Sequence, residues 1–299
     1  MEVFKPLIKN FTIANLNNYI SLIRLNRPIG IWLLLFPCLF ASILAYKDPS
    51  LAISIYRLIF FIILFTIGAI IMRSAGCIIN DIFDQKFDIL VSRTKGRALV
   101  SGKISKKQAL MTLFILLLLG LLILLQFNQK VVFLGVFSLF LVIIYPLTKR
   151  ITYFPQIFLG ITYNIGVLMA SLAILQKITP AIAILYITTI VWTLIYDTIY
   201  AYQDIEDDLK IGVKSTAIKF ANQGRKILIL LNIIVFFGFI LIGVISNLAP
   251  FYYFIVLIAN SYLLTGILKC NFQDPANCLE IFKANANFGL MILIAIIFG

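Results

Sequence analysis

The sequence contains no histidine. That absence removes Ser-His-Asp and Cys-His nucleophile chemistry and every His-ligated metal site. Its four cysteines include no CxxC pair, so they form neither a disulfide framework nor a zinc site. Charge is scarce as well: Asp, Glu, Lys and Arg make up 12% of the residues, against about 25% in a soluble domain. Acid is the scarcest, with 12 Asp and Glu in 299 residues. Any acid, base or metal ligand must therefore come from Asp, Glu, Lys, Tyr, Asn or Cys. What fills the chain instead is hydrocarbon: 62% apolar residues and a mean hydropathy of +1.05.

The apolar residues come in runs, and a transmembrane helix needs about 20 of them. Nine candidates run over about 29–46, 58–79, 109–126, 131–147, 154–175, 181–199, 227–246, 250–268 and 286–299. A single such run could be a buried core helix. Nine filling most of the chain predict an all-α polytopic membrane protein, with residues 1–299 as one domain. Met1–Tyr19 mixes polar and apolar residues, shows no cleavage pattern, and reads as a short amphipathic lead-in on the membrane surface.

Lys and Arg predict the orientation. Placing the N-terminus and every second loop on one side gives that side 20 basic residues and the other side four, with Arg73 left inside a span. This split predicts a cytoplasmic N-terminus. It accounts for much of the net charge of +13 without nucleic acid. Two inward loops, about 80–108 and 200–226, are long and polar, and they follow the second and sixth spans.

Eight of the 12 acidic residues lie in two segments, one at each of these loops. NDIFDQKFD runs from Asn80 to Asp88, and YDTIYAYQDIEDD from Tyr196 to Asp208. Asp81, Asp84 and Asp88 share one helical face, as do Asp197, Asp204 and Asp208. Like charges stacked on one face need a positive partner. Oxygen-only ligands favour a hard cation, and Mg²⁺ typically takes one or two carboxylates plus phosphate oxygens and water. The two ladders point to Mg²⁺ ions bridging a diphosphate; the plainer alternative is a pair of solvated acidic loops.

Basic residues flank the ladders. Arg93, Lys95 and Arg97 follow the first; they can stabilise a departing diphosphate or simply mark the cytoplasmic side. Tyr145 and Lys149, about one turn apart in YPLTKR, can reach the same phosphate or serve as interfacial anchors. Arg73 is costly in a span unless paired or facing the interior. It is a candidate either for a carboxylate of a second substrate or for pairing with one of the acids.

Several segments together carry a family resemblance: RLNRPIG (Arg24 to Gly30), MRSAGCIINDIFDQKFD (Met72 to Asp88), and YPLTKR with Pro155, Gln156 and Gly160 beyond it. YDTIYA (from Tyr196), DIEDDLKIGVKST (Asp204 to Thr216) and FKAN (Phe282 to Asn285) complete the set. Over most of its length the chain resembles the UbiA superfamily of intramembrane aromatic prenyltransferases. The flanks around the two acidic motifs resemble its hydroxybenzoate branch. The resemblance implies nine helices around a central cavity, a cytoplasmic cap made by the two acidic loops, and a lateral opening to membrane lipid. It further implies polyprenyl diphosphate and 4-hydroxybenzoate as substrates. In such an enzyme Asp81, Asp84, Asp88, Asp204 and Asp208 would hold Mg²⁺. Asp197 is the candidate base for the ring proton, and Asn80 would orient phosphate or stabilise the allylic cation. A relative acting on another acceptor, such as dihydroxynaphthoate, homogentisate or haem, would share the acidic motifs. An ion-coupled transporter would place its acids nearer the bilayer midplane.

Overall fold

The computed structural model describes residues 13–50 and 53–299. The first part of the expected lead-in lies outside them; its later part is a helix, α1 (Ile13–Leu22). Among the described residues, nine helical segments are long and apolar enough to cross a membrane. They are α2 (Ile29–Tyr46), α3 (Ile55–Asp88), α4 (Lys106–Leu124), α5 (Gln129–Ile151), the pair α6 (Pro155–Tyr163) and α7 (Ile165–Ile174), then α8 (Pro180–Ala201), α11 (Gly224–Ile245), α12 (Pro250–Lys269) and α13 (Pro275–Phe298). Two short helices, α9 (Ile205–Ile211) and α10 (Thr216–Phe220), lie between α8 and α11.

Polar residues at the ends of the apolar runs start these helices. Ser54, Asn128 and Thr179 each accept a hydrogen bond from a backbone N–H of their first turn, which satisfies an otherwise orphaned donor. Ser105 and Gln108 form a full capping box at α4. Pro180, Pro250 and Pro275 occupy first helical positions, where a missing N–H costs nothing. Gly212 ends α9 at φ +73°, a left-handed conformation suited to glycine.

Three elements differ from the sequence expectation. The second span does not stop near residue 79: α3 runs 34 residues, about 50 Å, against a hydrocarbon core of about 30 Å. A helix of that length exceeds the hydrocarbon core, and its last turns carry the first acidic ladder. The fifth span breaks at Asn164, whose Nδ2 donates to Gly160 O and Thr193 Oγ1, both at 2.8 Å. The last span begins at Pro275 rather than 286, because its first turns are polar yet capped by Asp274.

The helices do not pack evenly. Helices α2, α7, α8, α11 and α13 close around Phe40, Trp192, Phe239 and Phe288, all at most 1% exposed. Trp192 Nε1 donates to Asn285 Oδ1 at 2.9 Å inside this core, so its one polar atom is satisfied. By contrast α4 buries only Ala109, and α5 buries only Val131, Pro146 and Thr148. Their outer faces are hydrocarbon, as with Phe133 at 76% exposure, which suits lipid rather than water. Inside this looser side lies a cavity of about 1190 Å³, walled by α2 to α7, the C-terminal end of α8 and the N-terminal part of α13.

Candidate active site

The first acidic ladder rides the last two turns of α3 as a continuous helix, as the spacing predicts. Asp84 is fully buried, and Asp81 and Asp88 nearly so. Each has a cationic partner. Lys149, from the C-terminal end of α5, pairs with Asp84. Arg97 pairs with Asp88 and, at 3.1 Å, with Asp81, and Arg24 also pairs with Asp81. Buried carboxylates are tolerable only with such compensation.

The second ladder is not one helix. After α8 the chain tightens into a 3₁₀ turn at Tyr202–Asp204 before α9 begins. Asp197 therefore stays on the span, while Asp204 and Asp208 stand on the short segment beyond it. Arg93 holds Asp204 in a two-nitrogen grip and donates to Tyr200 Oη at 2.7 Å. The backbone N–H of Ser92 donates to Asp207 Oδ2 at 3.0 Å. Loop 89–105 is made of turns rather than helix, and it fastens the end of α3 to the second acidic segment.

Between the ladders is a charged hollow of about 170 Å³, lined by Asp84, Asp88, Asp204 and Asp208 together with Lys149, Lys214 and Gln156. Asn80, Arg93, Arg97, Tyr145, Asp197 and Tyr200 line both this hollow and the large cavity. These six side chains form the junction between a polar pocket and an apolar one. Asp197 and Asn80 make no side-chain hydrogen bond or ion pair there among the described residues.

Arg73 lines the large cavity from α3. Its guanidinium lies over the Tyr163 ring, 5.8 Å from the centroid, and fills the space that a side chain on Gly30 would need. Tyr163 Oη donates to Gly30 O at 2.8 Å, which fixes the ring. Arg73 pairs with no acid among the described residues.

Two expected site residues fall elsewhere. Lys95 is exposed and lines neither cavity, because the turn that aims Arg93 and Arg97 inward aims it out. Asp81 faces Arg24 and Arg97 rather than the hollow. Sequence reasoning missed Arg24, Tyr163, Tyr200, Lys214 and Gln156 as site residues. All five sit inside or beside the motif segments, but only their contacts across the fold mark them out.

Divalent metal fits this donor set. Asp84 Oδ1 is buried with no hydrogen-bond partner among the described residues, and an unpaired carboxylate oxygen lining a hollow suits a metal ligand. Asp208 has no ion pair among the described residues; burial, then the charge of Asp204, pushes its carboxyl up to about 7. Among the described residues no three acidic or cysteine side chains close into a metal cage by themselves. One or two carboxylates with phosphate oxygens is the pattern that Mg²⁺ takes.

A helical membrane protein with a charged hollow opening into an apolar cavity is equipped for an amphiphile with an anionic head and a hydrocarbon tail. The chain belongs to the UbiA prenyltransferase family, whose model matches residues 34–290. It is 43% identical over 281 residues to a mitochondrial 4-hydroxybenzoate polyprenyltransferase of Dictyostelium discoideum, covering 93% of this chain and 60% of that longer relative. It is 40% identical over 282 residues to a 4-hydroxybenzoate octaprenyltransferase of Hydrogenovibrio crunogenus, covering 94% of this chain and 96% of the relative. Among solved structures it matches the apo form of a UbiA homolog from Aeropyrum pernix K1, with a TM-score of 0.68, 21% identity, and coverage of 88% of this chain and 94% of the other. It also matches a UbiA homolog from Archaeoglobus fulgidus bound to GPP and Mg²⁺, with a TM-score of 0.62, 18% identity, and coverage of 94% and 99%. At these identities the structural likeness shows the fold.

Proposed function

We propose that this chain transfers a polyprenyl group from polyprenyl diphosphate to the ring carbon ortho to the hydroxyl of 4-hydroxybenzoate, releasing diphosphate, as a step of ubiquinone biosynthesis. It is an aromatic prenyltransferase of the inner bacterial membrane with its N-terminus in the cytoplasm. The observation that carries this reading is the junction: six side chains shared by the charged hollow and the apolar cavity. Reacting atoms held there meet ionic partners on one side and hydrocarbon on the other. The names of the relatives support the acceptor.

Asp84, Asp88, Asp204 and Asp208 would hold Mg²⁺, and Asp81 acts through Arg97. Bound there, the ion supplies Lewis-acid neutralisation of the diphosphate. Lys149, Arg93 and Arg97 bind diphosphate oxygens and stabilise the leaving group as the allylic C–O bond breaks. Tyr145, at the junction, donates its hydroxyl to the same oxygens. Asn80 orients the diphosphate beside the reacting carbon. The apolar cavity holds the tail and excludes water, which would otherwise capture the allylic carbon as an alcohol. Arg73, backed by Tyr163, binds the acceptor carboxylate. As the ring carbon forms its new bond, Asp197 takes the ring proton.

The test is an assay of membranes carrying the chain, with polyprenyl diphosphates and a panel of aromatic acids, with and without Mg²⁺. Product from 4-hydroxybenzoate that requires metal supports the reading. Product made equally well without a divalent ion, or only from another acceptor, refutes it.

A further inference from the structure

The large cavity does not end at random. Its inner end is the junction at Asn80, and it follows α3 past Arg73 and Gly68 to Phe65. Fifteen residues of helix separate Asn80 from Phe65, a depth of about 22 Å at 1.5 Å per residue. At that depth the Phe65 and Phe127 rings meet, with centroids 5.0 Å apart, and Phe61 stacks on Phe127 from behind at 5.7 Å. Phe61 and Phe65 are buried. Phe127 is held by the next residue: Asn128 Nδ2 donates to Leu172 O at 2.7 Å, and its Oδ1 accepts from Val131 N at 3.2 Å. The cavity thus ends against three packed rings, two carried by α3 and one by a pinned loop.

Above this closure the bore is kept open by missing side chains. A Cβ on Gly76 would meet nothing within 4 Å, and one on Gly68 would meet only Ile123 Cγ2 at 3.9 Å. Both glycines line the cavity. They lie eight residues apart on α3, or about 12 Å, so they mark two depths along one wall.

We propose that Phe65 and Phe127 are the floor of the tail site, and that this floor, with the open bore at Gly68 and Gly76, determines which prenyl chain lengths the enzyme prefers. The inference rests on the reading that the donor tail occupies this cavity. A tail shorter than the bore leaves wall surface without partners, and a longer one must bend or leave through the side. Either misfit costs packing, and a methylene-scale misfit in an apolar pocket is worth about tenfold or more in discrimination.

The experiment is a competition among geranyl, geranylgeranyl and octaprenyl diphosphates for 4-hydroxybenzoate, using membranes carrying the full chain. The ratio of prenylated products is read by mass spectrometry and is independent of how much active protein each preparation holds. Relative to wild type, Phe65→Ala and Phe127→Ala are expected to shift the ratio about tenfold toward longer tails. Gly68→Leu shifts it toward shorter ones, and Gly76→Leu shifts it further in the same direction. If a glycine variant fails to accumulate, the two phenylalanine variants decide the matter alone. Active variants that all keep the wild-type ratio would overturn the floor while leaving the transfer reaction intact. A wild-type chain that prenylates nothing with any donor would sink the functional reading, and this inference with it.

Discussion

The two acidic ladders look alike in sequence and differ in structure. The first lies on the unbroken end of a 34-residue helix, with Asp81 and Asp84 at 1% and 0% exposure and every carboxylate paired. The second is split by a 3₁₀ turn, is more open to solvent, and leaves Asp208 without an ion pair among the described residues. A ladder on a rigid, capped helix can hold its charges in place only by importing cations from Arg24, Arg97 and Lys149. The second ladder has its close ion pair at Asp204, whose side chain is more exposed than those of the first ladder. Acids that look equivalent in sequence therefore differ in surroundings: Asp81 sits between Arg24 and Arg97, Asp84 keeps one buried oxygen without a hydrogen-bond partner, and Asp208 has no ion pair among the described residues.

Removing Asp84 or Asp208 tests whether the ladders act as one site. Asp84→Asn is expected to lower kcat by at least about 100-fold, the range for losing a group aimed at developing charge. Asp208→Asn should fall in the same range, with a melting temperature near wild type because no ion pair is broken. Loss at one position and full activity at the other would separate the ladders into unrelated features.

Asp81→Asn sharpens the contrast within the first ladder. It strips Arg24 and Arg97 of a buried partner, and breaking such a pair costs about 3 kcal/mol. The expected outcome is a clear fall in melting temperature of the purified protein together with reduced activity. A stable Asp81→Asn protein that loses only activity would return Asp81 to the hollow.

Arg73→Gln probes the apolar side of the junction. Its expected effect is about a tenfold rise in acceptor KM with an unchanged donor KM, the loss of one charge-assisted hydrogen-bond partner. A rise in donor KM instead would place the diphosphate, not the acceptor, at Arg73. The smallest effect is Lys95→Gln, expected to change kcat/KM by less than about twofold, as befits an exposed surface charge. A larger loss would mean that loop 89–105 refolds to bring Lys95 inward.

Much of this protein was legible in order of residue number. The nine apolar runs became nine helical segments long enough to cross a membrane among the described residues, and the asymmetry of Lys and Arg separated long polar loops from short ones. Asp84, Asp88, Asp204, Asp208, Arg93, Arg97, Tyr145 and Lys149 do converge around one hollow. Legibility failed where a local pattern was extended across a turn: the spacing of Asp197, Asp204 and Asp208 predicts one helical face, yet the chain leaves the α-helix at Tyr202. It failed again in the basic loop, where Arg93, Lys95 and Arg97 look equivalent but a turn divides them into two inward residues and one outward.

Hydrophobic periodicity and polar caps act over a few residues, so the helices, their number and the placement of acids at their ends follow from the order of amino acids alone. Which carboxylate meets which cation was settled only by packing. Arg24 reaches Asp81 across 57 positions, Lys149 reaches Asp84 across 65, and Arg93 reaches Asp204 across 111. No local rule specifies such pairs, because their distances depend on how whole helices lie against one another. The same packing left α4 and α5 standing away from the core, and the space behind them became the cavity.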